Sequence, residues 1–171
     1  MTKTEQIIDQ WQDVRNGLIK EVELIPAQQI TFKPAAESRS VIELLQHIVE
    51  SERMLAGEMC RENTNFQRGF VALMADHTGG VKDAKTKEAM IELLRSSMGE
   101  TKKRVLGFGD ASFEKMMRRF DGKECTKLAM LNFTVSHEMY HRGQLTVYER
   151  VLGIEPALTQ LFKKMMATNP E

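Results

Sequence analysis

The chain has 171 residues, with 24 Lys and Arg balanced by 24 Asp and Glu, and only four His, two Cys and four Pro. A chain of roughly this size forms one domain, here residues 1–171, and buries enough surface to need neither disulfides nor a structural metal. Zero net charge argues against a nucleic-acid partner, and no apolar run approaches the ~18 residues of a membrane span.

The first helix is expected from about Thr4 to Leu24, its apolar face carrying Ile7, Trp11, Val14, Leu18 and Val22 at spacings of three and four. Pro26 closes it, and the stretch from Ile30 to Arg39 reads as a loop. Ser40, followed by Glu43, has the form of a capping box. A second helix then runs from about Val41 to Cys60. From Arg61 to Lys85 the period weakens; a short helix at Gln67–Ala75 is expected before the break at Gly79-Gly80.

A third long helix spans about Thr86 to Leu106 and ends before Gly107 and Gly109. Residues 110–123 connect it to the last helix, with a short helix at Phe113–Arg119 and a turn at Asp121-Gly122. The fourth long helix, about Cys125 to Leu152, stops at Gly153, and a short terminal helix covers Ala157–Met166. No strand alternation is sustained, so the class is all-α, a four-helix bundle. The 12 Met residues are expected largely in its core.

Chemistry concentrates in Ser136-His137-Glu138-Met139-Tyr140-His141-Arg142-Gly143-Gln144 on the fourth helix. His137 and His141 are one turn apart on one face, where two imidazoles can share an ion. That face continues through Met130, Thr134, Leu145 and Tyr148, so it points inward. His47, at the edge of the second helix's apolar stripe, is the natural third ligand, because a bundle brings mid-helix positions together. Three His leave a coordination position open, the catalytic type of site between helices two and four.

His77 reads as a solvated loop residue. Cys60 and Cys125 lack the spacing of a zinc ribbon or a disulfide framework. With no apolar leader at the amino terminus, the expected location is cytoplasmic.

Two other motifs compete. His137-Glu138-x-x-His141 matches the zinc-protease pattern, but neither a later His nor a strand-bearing cleft follows. The di-iron bundles need two Glu-x-x-His motifs, and Leu44 stands where His47 would need a Glu.

The combination of Val41-Ile-Glu-Leu-Leu-Gln-His47-Ile48 with His137-Glu-Met-Tyr-His141-Arg-Gly-Gln-Leu145 resembles the DinB-like superfamily of four-helix bundle metal proteins over nearly the whole chain. The resemblance implies metal ligation by His47, His137 and His141 with one divalent transition ion, zinc or nickel. It also implies a low-molecular-weight thiol added to a small electrophile, and homodimers. Relatives often carry Trp-Thr or Trp-Ser before the second helix; here Ser38-Arg39-Ser40 stands there, so the pocket edge differs.

The residues themselves leave three readings open: a thiol transferase, a metal-dependent hydrolase in which water replaces the thiol, and a non-enzymatic metal protein. Glu138 and Tyr148 are weak catalytic candidates, against a salt bridge for the first and buried packing for the second. Glu43 reads as a cap before a ligand-orienting residue, and Arg142 and Gln144 as structural ties. Gly143 is expected where a neighbouring helix comes close.

Overall fold

The computed structural model describes residues 1–168. Four long helices dominate: α1 (Lys3–Leu24), α2 (Val41–Met59), α4 (Lys87–Phe108) and α6 (Lys127–Val151). Shorter helices are α3 (Phe70–His77), α5 (Asp110–Phe113) and α7 (Ala157–Thr168). Helix starts follow side-chain caps: Thr2 with Glu5 and Ser40 with Glu43 form complete capping boxes, and Thr86 and Thr126 each accept a backbone N–H. The capping reading of Glu43 holds.

Helices α1 and α2 each pack on both α4 and α6, which makes α1 and α2 diagonal across the core. The long Ile25–Ser40 connection permits that crossing. The packing of α2 against α6 brings His47 opposite His137 and His141.

The core has two apolar halves. One is built on Leu18, Val22, Leu45, Ile48, Met90 and Leu145, the other on Ile8, Trp11, Leu55, Met98, Leu131 and Phe113. Between them lies a polar layer that the sequence reading did not anticipate. Arg15, fully buried, donates to Glu138 on α6, Glu52 on α2, and both Leu94 O and Ser97 Oγ on α4. Burial opposes its charge, but the two carboxylates outweigh that cost and raise its pKa. Six of the 12 Met are buried; others, including Met139, Met165 and Met166, are exposed, so the expectation of a Met-filled core holds only for half.

Residues 110–123 correct the expected helix at Phe113–Arg119. Helix α5 ends at Phe113, and Met116–Arg118 (β1) pairs antiparallel with Glu124–Thr126 (β2), Met117 facing Cys125. The expected turn at Asp121-Gly122 is present, with Gly122 at φ +82°. Here the apolar Met117 is buried while its neighbours are exposed, an alternation too short to register as a strand pattern. No helix is long and apolar enough to cross a membrane among the described residues.

Candidate metal centre

His47 projects from the middle of α2 and His137 and His141 from the middle of α6. Their rings converge edge to face, with centroids 5.2 Å (His47–His137), 4.7 Å (His47–His141) and 4.4 Å (His137–His141) apart. One ring nitrogen from each lies within 4.8 Å of the others. The three residues singled out from the sequence are therefore brought together.

The donor set fits a transition ion. His141 Nδ1 donates to Gln144 Oε1 at 2.7 Å, which commits its proton and turns the Nε2 lone pair toward the other rings. His141 Nε2 and His137 Nε2 stand 3.1 Å apart. Two nitrogens each about 2.0–2.1 Å from a tetrahedral ion sit at a similar separation, about 3.3 Å. Burial, helped by the positive charge of Arg39, pushes His47 down to about 3. Burial and His141 push His137 down to about 4, and burial also lowers His141. All three are neutral at physiological pH, the form that coordinates metal. The role of Gln144 in fixing the tautomer is more specific than the structural tie expected of it.

The neighbours fall elsewhere. Glu138, next to His137, turns away into the polar layer, where Arg15 Nε and Nη2 and Trp11 Nε1 engage both its oxygens at 2.6–2.7 Å. The structure gives it the salt-bridge role. Tyr148 is buried; its ring packs edge-on against Phe32 and its hydroxyl donates to Arg39 O at 3.0 Å. Arg142 ties α6 to α1 through Glu21 at 3.0 Å. It is Gly17, not Gly143, that marks a close approach: a Cβ on Gly17 would lie 2.2 Å from the Arg142 guanidinium, while nothing stands within 4 Å of Gly143.

His77 is not a solvated loop residue. It ends α3 with a side chain only 10% exposed, and its Nε2 lies 3.1 Å from Glu58 Oε2. Arg68 and Asp76 extend that cluster.

A cavity of about 490 Å³ opens from the triad. His47 and His137 stand at its edge, and Met54, Leu55, Phe66, Leu73, Phe120 and Phe133 form an apolar wall. Much of that wall comes from the segments without clear period: the turn at Phe66, helix α3 and the hairpin loop that carries Phe120. Cys60 and Cys125 are free thiols; burial pushes Cys60 up to about 11 and raises Cys125 as well.

The whole chain, residues 1–171, matches the family model of the DinB family. The chain belongs to the DinB family. An uncharacterized protein, YjoA of Bacillus subtilis, is 27% identical over 159 residues, covering 90% of this chain and 93% of its own. The solved structure of that DinB-like protein superposes with a TM-score of 0.67 at 24% identity, over 86% of this chain and 92% of the other. B. subtilis YfiT, described as a probable metal-dependent hydrolase with an unusual four-helix bundle topology, gives a TM-score of 0.69 at 17% identity, with 89% of each chain covered. A mycothiol-dependent maleylpyruvate isomerase gives 0.65 at 11% identity, covering 85% of this DinB-family chain and 63% of the isomerase. At those identities the likenesses establish the bundle fold.

Proposed function

We propose that this DinB-family protein is a metal-dependent S-transferase that joins a low-molecular-weight thiol to a small apolar electrophile. The observation that carries this reading is the convergence of three neutral imidazoles on the edge of an apolar chamber. His47, His137 and His141 would hold the ion, zinc or nickel by family resemblance. Bound there, a divalent ion supplies Lewis acidity, lowering the pKa of a thiol or water that reaches it.

The chain's own residues favour a thiol over water. A thiol starts near pKa 8.5 and needs little help to ionise at neutral pH. Water needs far more, and the acids flanking the triad on α2 and α6 are already engaged: Glu43 with Lys33, Glu50 with Lys82, Glu138 with Arg15. The nucleophile also comes from outside, since neither Cys60 nor Cys125 is a thiolate at neutral pH. The apolar wall desolvates the electrophile and holds it against the triad. In the reaction a sulfur–carbon bond forms, the leaving group departs with its electron pair, and the thiol proton passes to solvent.

The hydrolase reading is supported by the description of YfiT as a probable metal-dependent hydrolase. One experiment separates the two. Zinc- or nickel-loaded protein is incubated with a chlorodinitrobenzene, with and without a small thiol, and thioether and phenol products are quantified. Thioether formation that needs thiol and is lost in His137→Ala supports the transferase. Phenol release without thiol supports the hydrolase, and no turnover by fully loaded protein points to a non-enzymatic role.

A further inference from the structure

His47 faces two spaces. Besides the chamber, it borders a groove of about 410 Å³ at the amino-terminal end of α2, and Phe70 is shared by both. The two spaces therefore meet at the triad, yet their walls differ in kind. The chamber is apolar, whereas the groove carries Lys33, Arg39, Lys82, Glu37, Glu43 and Glu50.

Most of those charges neutralise one another. Lys33 pairs with Glu43 at 3.1 Å and Lys82 with Glu50 at 3.2 Å. Among the described residues, Arg39 and Glu37 remain without an ion-pair partner. Arg39 lines the groove together with His47, and its charge acts on all three histidines, whereas that of Lys82 contributes at His47. The backbone of Arg39 is also fixed. Tyr148 Oη donates to its carbonyl, and the loop beneath is closed by Val41 N to Phe32 O and Ile42 N to Ile30 O.

A cationic side chain on an anchored loop, lining a groove that His47 of the triad also borders, suits a small anion. We propose that this groove is an anion subsite in which Arg39 pairs with a carboxylate on the thiol co-substrate, so that the thiol approaches from the groove while the electrophile occupies the chamber. This assignment rests on the thiol reading above. It follows that the preferred thiol carries negative charge a few bonds from its sulfur.

The test uses calorimetric titration of zinc-loaded protein with three thiols of similar length: mercaptopropionate (anionic), mercaptoethanol (neutral) and cysteamine (cationic). The parent protein is expected to bind mercaptopropionate most tightly. Arg39→Ala weakens that binding about three- to tenfold, the range for a partly solvated charge-assisted contact, and leaves mercaptoethanol unchanged. Arg39→Glu shifts the order toward cysteamine. In metal-free protein, weak propionate binding that disappears in Arg39→Ala reports the same subsite without the ion. An order of thiol affinities that Arg39→Glu leaves unaltered overturns the subsite while the thiol reading stands. If no thiol binds, but a carboxylate-bearing electrophile binds in an Arg39-dependent manner, the anion belongs to the electrophile and the assignment to the thiol is wrong.

Discussion

Arg15 and Glu138 form a bidentate ion pair in the middle of the bundle, Nε to Oε1 at 2.6 Å and Nη2 to Oε2 at 2.7 Å, with both side chains essentially inaccessible to solvent. Glu138 thus spends its charge inside the core although it directly follows His137. Breaking one side of such a pair leaves a buried charge uncompensated, which costs about 3–5 kcal/mol. Glu138→Ala is expected to lose stability on that scale, and Glu138→Gln, which keeps shape and some hydrogen bonds, about 1–3 kcal/mol. Thermal and urea melts check this. A Glu138→Gln protein that melts like its parent but has lost turnover would restore the carboxylate to a chemical role.

Removing Gln144 tests the metal centre without touching a ligand. Its Oε1 holds the His141 Nδ1 proton, and loss of such a partner typically lowers metal affinity about 10–100-fold. Gln144→Leu is expected to show that loss, Gln144→Glu to keep most of the affinity, and His47→Ala or His141→Ala to lose more than either. The thermal readout is independent of activity. Saturating zinc at ~100 times its dissociation constant adds about 2.7 kcal/mol, which corresponds to about 5–10 °C in Tm for a chain of this size. Equal zinc shifts in the parent and His141→Ala would remove the three-histidine site.

The site was legible where the chemistry repeats a helical spacing, and obscure where tertiary contact alone decides. His137 and His141 share a face by periodicity, and His47 gains meaning only beside them. Ser40 and Glu43 announce the start of α2 by local chemistry. Arg15 carries no such signal: an arginine on a helix is normally solvated, and only the facing Glu52 and Glu138 make burial tolerable. The chamber wall was equally hidden, because Phe66, Phe70 and Phe120 sit in segments too short for a period to develop. His77 shows the same limit, since its partner Glu58 lies on another helix.

The two glycines turn that limit into a measurement. Gly17 and Gly143 both lie inside helices, where Ala is favoured by about 1 kcal/mol on propensity. Gly143 is exposed with open space around it, so Gly143→Ala is expected to stabilise by about 0.5–1 kcal/mol. At Gly17 the added methyl meets the Arg142 guanidinium and must displace it from buried Glu21. Gly17→Ala is therefore expected to destabilise by about 1–2 kcal/mol despite the same propensity gain. Chemical denaturation of both variants decides the matter. Stabilisation by both would mean that Arg142 moves aside freely.

Glu149 supplies a pH signature outside the histidine triad. It is fully buried on α6, neither carboxyl oxygen has a hydrogen-bond partner, and burial followed by the charge of Glu21 pushes it from 4.5 to about 8. Both Glu21 oxygens are engaged, accepting from Arg142 and from the Ala157 N–H that begins α7. Glu149 is therefore neutral in the folded protein at physiological pH. Between about 4.5 and 8 the unfolded chain has already released this proton while the folded chain retains it. The unfolded state binds fewer protons across that window, so stability falls as pH rises and levels off above it. Glu149→Gln removes the titration. Its Tm is expected to match the parent near pH ~5 and to exceed it at pH ~8.5, by about 2–4 °C for each kcal/mol regained. A Tm difference that is the same at both pH values would show that Glu149 is already ionised in the native bundle.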